Sequence, residues 1–123
     1  MGWFLLLLAV AVLIIVIVLF SARRKRQSGA YLEIAAGPFT GQRFYITKTP
    51  FFIGRSSTND LVLNDPQLSR RHAVIQLGGG VYTIEDLRSQ LGVLVNGQRV
   101  LRAPLTDGTH IQLAQTVFTF HQS

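Results

Sequence analysis

The pattern of apolar and polar positions divides the chain into two unlike parts. Residues Trp3 to Phe20 form an unbroken run of 18 apolar residues without a charge, a proline or a glycine. A helix of this length reaches about 27 Å, which is close to the thickness of a bilayer core. The pattern therefore predicts an N-terminal transmembrane helix, with the anchor covering residues 1–22.

A cleaved signal peptide is the alternative reading of the same run. The run is longer than a typical signal-peptide core, and no charged segment precedes it. The sequence Leu19-Phe20-Ser21-Ala22 also places a bulky residue where a small one is needed for cleavage. These features favour a retained anchor.

After the anchor, apolar residues occur in short runs that are separated by turn-forming residues. No sustained period of 3.6 residues follows residue 30, and β-branched and aromatic residues dominate the runs. Asn96-Gly97 predicts a type I′ hairpin, and Gly78-Gly79-Gly80 predicts a second turn. The pattern predicts an all-β domain, either a sandwich or a barrel, with strands near Tyr31–Ile34, Arg43–Ile46, Pro50–Ile53, His72–Leu77, Val81–Glu85, Val93–Val95, Thr109–Leu113 and Val117–Phe120.

The charge distribution adds a basic segment directly after the predicted anchor. Arg23-Arg24-Lys25-Arg26 supplies four of the six net positive charges and opens a basic juxtamembrane linker over residues 23–30. Basic residues beside an anchor stay in the cytoplasm, which predicts an outside N-terminus and a cytoplasmic domain at the plasma (inner) membrane. The mild remaining charge indicates no nucleic-acid partner, although binding of nucleic acid or anionic lipid through the basic cluster stays open as an alternative.

Composition also narrows the chemistry. The chain contains no cysteine, which excludes disulfides and thiolate metal sites. Nothing in the sequence indicates a cofactor or a metal. No paired carboxylates or activated nucleophile stand out, so we expect no enzymatic activity.

Two segments form a candidate anion site. The apolar run Phe52-Ile53 ends in Gly54-Arg55, and Ser69-Arg70 follows fourteen residues after Arg55. A guanidinium offers paired N–H donors and a permanent charge, and a hydroxyl adds a third directional bond. We therefore expect Arg55, Ser69 and Arg70 to hold a phosphate.

These residues resemble the signature of the forkhead-associated (FHA) domain. The resemblance runs from about Tyr31 to His121 and implies a two-sheet β-sandwich over residues 31–123 that binds phosphothreonine. It also implies that Gly54, Asn59, His72, Asn96 and Gly97 support the site structurally. The motifs that carry the resemblance appear in the family's order: Gly54-Arg55, Asn59-Asp60, Ser69-Arg70-Arg71-His72, Asp86 to Ser89, Asn96-Gly97 and Leu105 to Gly108.

One loop departs from the family pattern. Where the family has Ser-Thr-Asn-Gly-Thr, this chain has Ser89-Gln90-Leu91-Gly92-Val93. Leu91 replaces the asparagine that, in the family, bonds the peptide main chain, and Gln90 replaces a threonine. Losing such an amide bond costs on the order of 1–3 kcal/mol. Arg88 is a candidate to compensate with charge.

The sequence therefore predicts a membrane-anchored, phosphothreonine-dependent adaptor in bacterial Ser/Thr-kinase signalling. Its partners would be phosphothreonine-containing proteins, either membrane-associated or kinase substrates. The alternative is a phosphate-independent interaction module that uses the Ser89–Val93 loop surface. A catalytic pair of Ser69 and His72 is the least favoured reading, because no carboxylate is placed to orient the histidine.

Overall fold

The N-terminal segment is a single helix in the computed structural model, which describes residues 2–26 and 29–123. Helix α1 spans Gly2–Arg26, and its described apolar side chains are exposed, from Trp3 at 84% to Ile17 at 55%. Among the described residues, no helix is both long and apolar enough to cross a membrane. The predicted anchor also covers Met1 and the side chains of residues 18–22, which lie outside the described part of the chain. The transmembrane assignment is not supported by the described residues and stays a prediction.

The rest of the described chain contains eleven strands. Their bounds are β1 Tyr31–Ala36, β2 Arg43–Tyr45, β3 Phe51–Gly54, β4 Leu61–Val62, β5 Ala73–Gly78, β6 Val81–Asp86, β7 Val93–Val95, β8 Gln98–Val100, β9 Arg102–Leu105, β10 His110–Leu113 and β11 Thr116–His121.

These strands form two sheets. One sheet has the order β2-β1-β11-β10-β7-β8, and the other has the order β4-β3-β5-β6-β9. In the part of the chain that the structure describes, paired strands are antiparallel except for β3 and β4, which run parallel. The predicted all-β, two-sheet sandwich is confirmed.

The core lies between the two sheets and follows the alternation of the strands. In β1, Leu32 and Ile34 are buried, whereas Tyr31 and Glu33 are only partly covered. The opposite sheet contributes Ile53, Ile75 and Ile84 to the same cluster. Phe118 and Phe120 of β11 are fully buried, and Phe118 meets Phe44 edge-on at 6.5 Å between ring centroids. Period-two alternation thus buries one face of each sheet.

Strand direction brings the functional loops to one end of the sandwich, which we call the apical end. β3 and β4 both end there, since Gly54 pairs with Val62, and β5 begins there. β6 ends and β7 begins at the same end, because Asp86 pairs with Ala73 and Val93 pairs with Leu113. The apical end therefore consists of residues 37–42, 55–60, 63–72, 87–92, 101 and 114–115.

The two predicted turns lie at the other end. Asn96 and Gly97 have φ values of 49° and 83° and connect β7 to β8. Gly79 and Gly80, with φ values of 58° and 78°, connect β5 to β6. Positive φ at both central positions is the geometry that the type I′ prediction required.

Three strands are missing from the predicted set: β4, β8 and β9. A strand at β8 is nevertheless implied by the predicted Asn96-Gly97 hairpin. β4 has only two residues and pairs only with β3. β9 contains Pro104 and lies at the edge of its sheet, where a proline without an N–H group is tolerated.

Candidate phosphate-binding site

Two apical loops are joined by backbone hydrogen bonds beyond the ends of their strands. His72 N–H donates to Ile53 O at 2.8 Å, and Arg55 N–H donates to Ser69 O at 3.1 Å. Ser56 N–H donates to Arg70 O at 3.0 Å. Arg55 and Ser69 are therefore neighbours across a continued ladder, although fourteen residues separate them in the sequence.

Gly54 makes this close approach possible. A Cβ atom at position 54 would collide with the carbonyl oxygen of Arg70 and would lie 2.9 Å from Nδ2 of Asn59. The obstacle is largely backbone, which cannot rotate away as a flexible side chain can. The glycine before Arg55 is thus a packing requirement of the joined loops.

Asn59 fastens the same two loops from inside. Its buried side-chain amide donates from Nδ2 to Ser56 O at 2.8 Å and to Arg70 O at 2.6 Å. One amide group therefore bonds the loop of residues 55–60 and the loop of residues 63–72 together. The supporting role of Asn59 in ligand binding stays a prediction.

The neighbouring carboxylate of Asp60 fixes the base of the first loop. Asp60 Oδ2 accepts from Phe52 N–H at 2.8 Å, and its Oδ1 lies 3.0 Å from Lys48 Nζ. The backbone hydrogen bond from Phe52, followed by Lys48, lowers the pKa of Asp60 against the opposing effect of burial. Asp60 therefore braces the base of this loop.

The guanidinium of Arg55 is oriented by one hydrogen bond, which its Nε group donates. Its Nε donates to Leu68 O at 3.2 Å, and the residue is exposed. One donor thus fixes the direction of the side chain, while the remaining N–H groups have no hydrogen-bond partner among the described residues. A planar, oriented guanidinium at the surface suits bidentate binding of a phosphate.

Ser69 and His72 connect the site to the loop after β6. Ser69 Oγ accepts from Gln90 N–H at 3.2 Å, which leaves its hydroxyl hydrogen for a ligand. The buried His72 accepts from Ser69 N–H at Nδ1 (3.2 Å), and its Nε2 lies 2.8 Å from Gly92 O. Nδ1 must then be unprotonated and Nε2–H must be the donor.

This arrangement places no catalytic pair at Ser69 and His72. The histidine contacts the backbone N–H of Ser69 rather than its hydroxyl, and both ring nitrogens are engaged with backbone groups. A general base must reach the proton that it removes. His72 instead bonds two loops together, and its supporting role in ligand binding stays a prediction.

The loop of residues 87–92 has its own internal bonds. Asp86 Oδ1 accepts from Ser89 N–H at 3.0 Å, and Ser89 Oγ accepts from Gly92 N–H at 2.9 Å. Arg88 adopts a left-handed backbone with φ of 55°, and Leu91 is 45% exposed. The loop therefore presents Arg88, Gln90 and Leu91 on a surface next to Ser69.

The other predicted residues divide into two groups. Arg70 is exposed beside Ser69, and its side chain has no ion-pair partner among the described residues. Asn96 and Gly97 are not brought to the site, because they follow the far end of β7. Asn96 instead ties that end to β10, since its Oδ1 accepts from His110 N–H at 3.0 Å.

Arg99 and Arg102 were not identified from the sequence as residues near the candidate site. Arg99 reaches Gly92, where a Cβ atom would lie 2.5 Å from the Arg99 Nε atom. Arg102 begins β9 opposite Glu85. The position of Arg99 could have been predicted from the Asn96-Gly97 turn. A two-residue hairpin places Arg99 opposite Leu94 and directs β8 back toward the apical end.

Comparison with known proteins agrees with this geometry. The family model of the FHA domain matches residues 51–114, just over half of the chain. The protein FhaB of Mycobacterium tuberculosis is 34% identical over 98 residues, which cover 77% of this chain and 62% of FhaB.

Solved structures show the same likeness. Mycobacterium tuberculosis EmbR, in complex with a low-affinity phosphopeptide, superposes with a TM-score of 0.73 at 40% identity, covering 77% of this chain and 24% of that one. A structure from a study of phosphothreonine-dependent FHA domain interactions gives a TM-score of 0.71 at 28% identity, covering 78% of this chain and 98% of that one.

This chain spans less than two thirds of FhaB and about a quarter of EmbR. The joined loops at Gly54-Arg55 and Ser69–His72 and the match to the family model lead to one assignment. The chain belongs to the FHA-domain family.

Proposed function

We propose that this protein is a phosphothreonine-dependent protein-binding adaptor in Ser/Thr-kinase signalling. The observation that carries the proposal is the juxtaposition of Arg55 and Ser69 by the 3.1 Å backbone bond between their loops. It places an oriented guanidinium beside a hydroxyl with a free hydrogen, and the exposed Arg70 follows Ser69 directly. The phosphopeptide complex of EmbR supports the same class of ligand.

The energetics suit a reversible reader of phosphorylation. A phosphothreonine carries about 1.5 to 2 negative charges and three acceptor oxygens. Hydrogen bonds to charged groups contribute roughly 1.5–3 kcal/mol each, so three such donors contribute roughly 4.5–9 kcal/mol, which reaches micromolar affinity at the upper end before other peptide contacts are counted. Such a protein recognises a phosphorylated partner and performs no chemistry on it.

Titration calorimetry on the full chain in a neutral detergent tests this proposal. We expect phosphothreonine peptides to bind and their unphosphorylated counterparts not to bind. Arg55→Ala should reduce phosphopeptide affinity by at least about tenfold, because a charge-assisted bond is lost. Arg43→Ala, on the β2 edge strand of the six-stranded sheet, is the matched control and should leave affinity unchanged. Equal binding of both peptide forms would refute the proposal.

Membrane anchoring is a separate part of the proposal. It is supported by the 18 apolar residues from Trp3 to Phe20, by the basic cluster Arg23–Arg26 and by the exposure of the described apolar side chains of α1. An N-terminus outside and a cytoplasmic FHA domain follow from the basic flank. Tethering would raise the effective concentration toward partners on the same membrane.

Carbonate extraction of bacterial membranes tests the anchor. The full chain should stay in the membrane pellet, whereas a Leu13→Arg/Val16→Arg variant should be released. Each central arginine costs about 2.5–3.5 kcal/mol of insertion free energy. Release of the unaltered chain by carbonate would contradict anchoring and would leave phosphopeptide binding untouched.

The exposed Leu91 favours a second candidate function. At 45% exposure it presents apolar surface on the loop of residues 87–92, at the position where the family resemblance implies an amide. A phosphate-independent module that uses the Ser89–Val93 loop surface would bind its partner equally well in the Arg55→Ala variant. Loss of partner binding in Leu91→Asn but not in Arg55→Ala would favour this function over the first.

A further inference from the structure

Most basic residues of the FHA domain lie near its apical end. Of the eight lysines and arginines after residue 30, Arg43 and Lys48 form ion pairs with Glu33 and Asp60. The other six are exposed near the apical end, and among the described residues none has a carboxylate partner within 4.0 Å: Arg55, Arg70, Arg71, Arg88, Arg99 and Arg102.

Three of these arginines surround the loop of residues 87–92. Arg88 belongs to the loop itself, and Arg99 lies against Gly92 at its base. Asp86 N–H donates to Leu101 O at 2.9 Å, which holds the start of β9, and with it Arg102, beside the beginning of the loop. We call Arg88, Arg99 and Arg102 the second arginine cluster.

The nearest carboxylates reduce this positive charge only in part. Glu85 lies opposite Arg102 in the β6–β9 register without forming an ion pair with it. Asp86 directs Oδ1 to Ser89 N–H at 3.0 Å, inside its own loop. Three guanidinium charges therefore stand against two carboxylates, neither of which is paired with them.

The second arginine cluster and the phosphate-binding residues lie on either side of Gln90 and Leu91. Gln90 N–H bonds Ser69 Oγ at 3.2 Å on one side, and Gly92 contacts Arg99 on the other. A peptide that is held by its phosphate at Arg55 and Ser69, and that crosses Leu91, reaches the second cluster within a few residues at about 3.3 Å per residue.

We infer that the second arginine cluster binds an acidic side chain of the same phosphopeptide. The inference rests on the proposed function and specifies its partner: a phosphothreonine segment with additional negative charge. Positive charge beside Leu91 would replace the contact to the peptide main chain that the family resemblance assigns to an asparagine side chain at this position.

The position of the cluster in the fold favours a protein partner over an anionic membrane surface. β1 begins at Tyr31, opposite His121 and next to the segment that leads to the basic linker, and it ends at the apical side with Ala36 opposite Val117. The apical loops therefore lie at the far end of β1 from the linker. A soluble or membrane-bound protein segment can reach them there.

Binding of matched peptides to the full chain in neutral detergent tests the inference. The probes are a phosphothreonine peptide in an alanine–glycine–serine context and a series that carries two aspartates at successive positions from −4 to +4. We expect at least one acidic register to bind about tenfold more tightly than the neutral peptide. The triple variant Arg88→Ala/Arg99→Ala/Arg102→Ala should remove this gain, so that it binds the acidic peptide and the neutral peptide with equal affinity.

Two control variants separate the possible outcomes. Arg71→Ala removes an apical charge that stacks on Phe52 at 4.1 Å, outside the cluster, and should preserve the gain. Equal loss in Arg71→Ala and in the triple variant would mean a diffuse field and would overturn the assignment. Acidic peptides that bind no better than the neutral one, with Arg55→Ala still abolishing binding, would overturn the inference alone. Failure of all phosphopeptides to bind would overturn the proposed function and the inference with it.

Discussion

At the scale of single residues, Gly54 shows how one side chain controls the site. The space that a Cβ atom would need is taken by the Arg70 carbonyl and by the Asn59 amide. We expect Gly54→Ala to lower the free energy of unfolding by about 1–3 kcal/mol, because overpacking forces the loops apart. Phosphopeptide affinity should fall with it. Gly78→Ala is the matched control in a chemical denaturation series, since nothing lies within 4 Å of its Cβ position. Equal stability of the two variants would contradict this account.

Asp60 should make the free energy of unfolding depend on pH in the acidic range. Its pKa is lowered in the folded state, mainly by the hydrogen bond from Phe52 N–H. A carboxylate with a depressed folded pKa stabilises the protein above its unfolded pKa, near 3.8, and this contribution is lost as the pH falls through the lower folded value. Asp60→Asn should therefore be less stable than the wild type at pH 7, and the difference should shrink below about pH 4.

The measurement is urea denaturation between pH 2.5 and pH 7. Glu85→Gln serves as the control, because its carboxylate makes no hydrogen bond or ion pair with the described residues. A stability difference for Asp60→Asn that is constant over this range would show that the charge of Asp60 does not contribute.

At the scale of elements, His72 joins loops from both sheets. It accepts from Ser69 N–H before β5 and lies 2.8 Å from Gly92 O before β7. His72→Ala leaves a buried donor and a buried acceptor without partners, each of which costs about 1–3 kcal/mol. We expect a loss of about 2–4 kcal/mol in unfolding free energy, together with weaker phosphopeptide binding at temperatures where the variant is still folded.

Thermal denaturation and fluorescence anisotropy measure these two effects. His110→Ala is the control, since His110 is exposed on β10 and its ring contacts only Thr119 Oγ1, at 3.3 Å, among the described residues. If His72→Ala kept full affinity, the loops would be held in place without the histidine.

The same elements show what the sequence could and could not predict. Alternation and turn chemistry identified most strands, because burial on one face leaves a direct pattern in the residues. β4 and β9 left no such pattern, since one has two residues and the other contains Pro104. The motifs predicted that Arg55 and Ser69 lie close together, and a backbone hydrogen bond joins them. The positions of Arg99 and Arg102 depend instead on strand register and on the 2.9 Å bond from Asp86 N–H to Leu101 O. Contacts of this kind are tertiary and have no local signal.

At the scale of the whole molecule, the candidate site belongs to both sheets at once. Arg55, Ser69 and Arg70 follow strands of the five-stranded sheet, whereas Gly92 leads into β7 of the six-stranded sheet. The bonds from Gln90 N–H to Ser69 Oγ and between His72 and Gly92 cross this division. The site therefore exists only while the sheets are packed together, and we expect ligand binding to be lost when the core unfolds.

Phe118 offers a direct test of this dependence. The side chain is fully buried between the sheets, and its ring centroid lies 6.5 Å from that of Phe44. Phe118→Ala should cost about 3–5 kcal/mol of unfolding free energy, which is a large part of the stability of a small domain. We expect phosphopeptide binding and tertiary circular dichroism to be lost in one transition at a reduced denaturant midpoint. Leu77→Ala, at a position 45% exposed on β5, should change that midpoint little. Binding that survives beyond the loss of tertiary signal in Phe118→Ala would mean that the apical loops hold together without the sandwich beneath them.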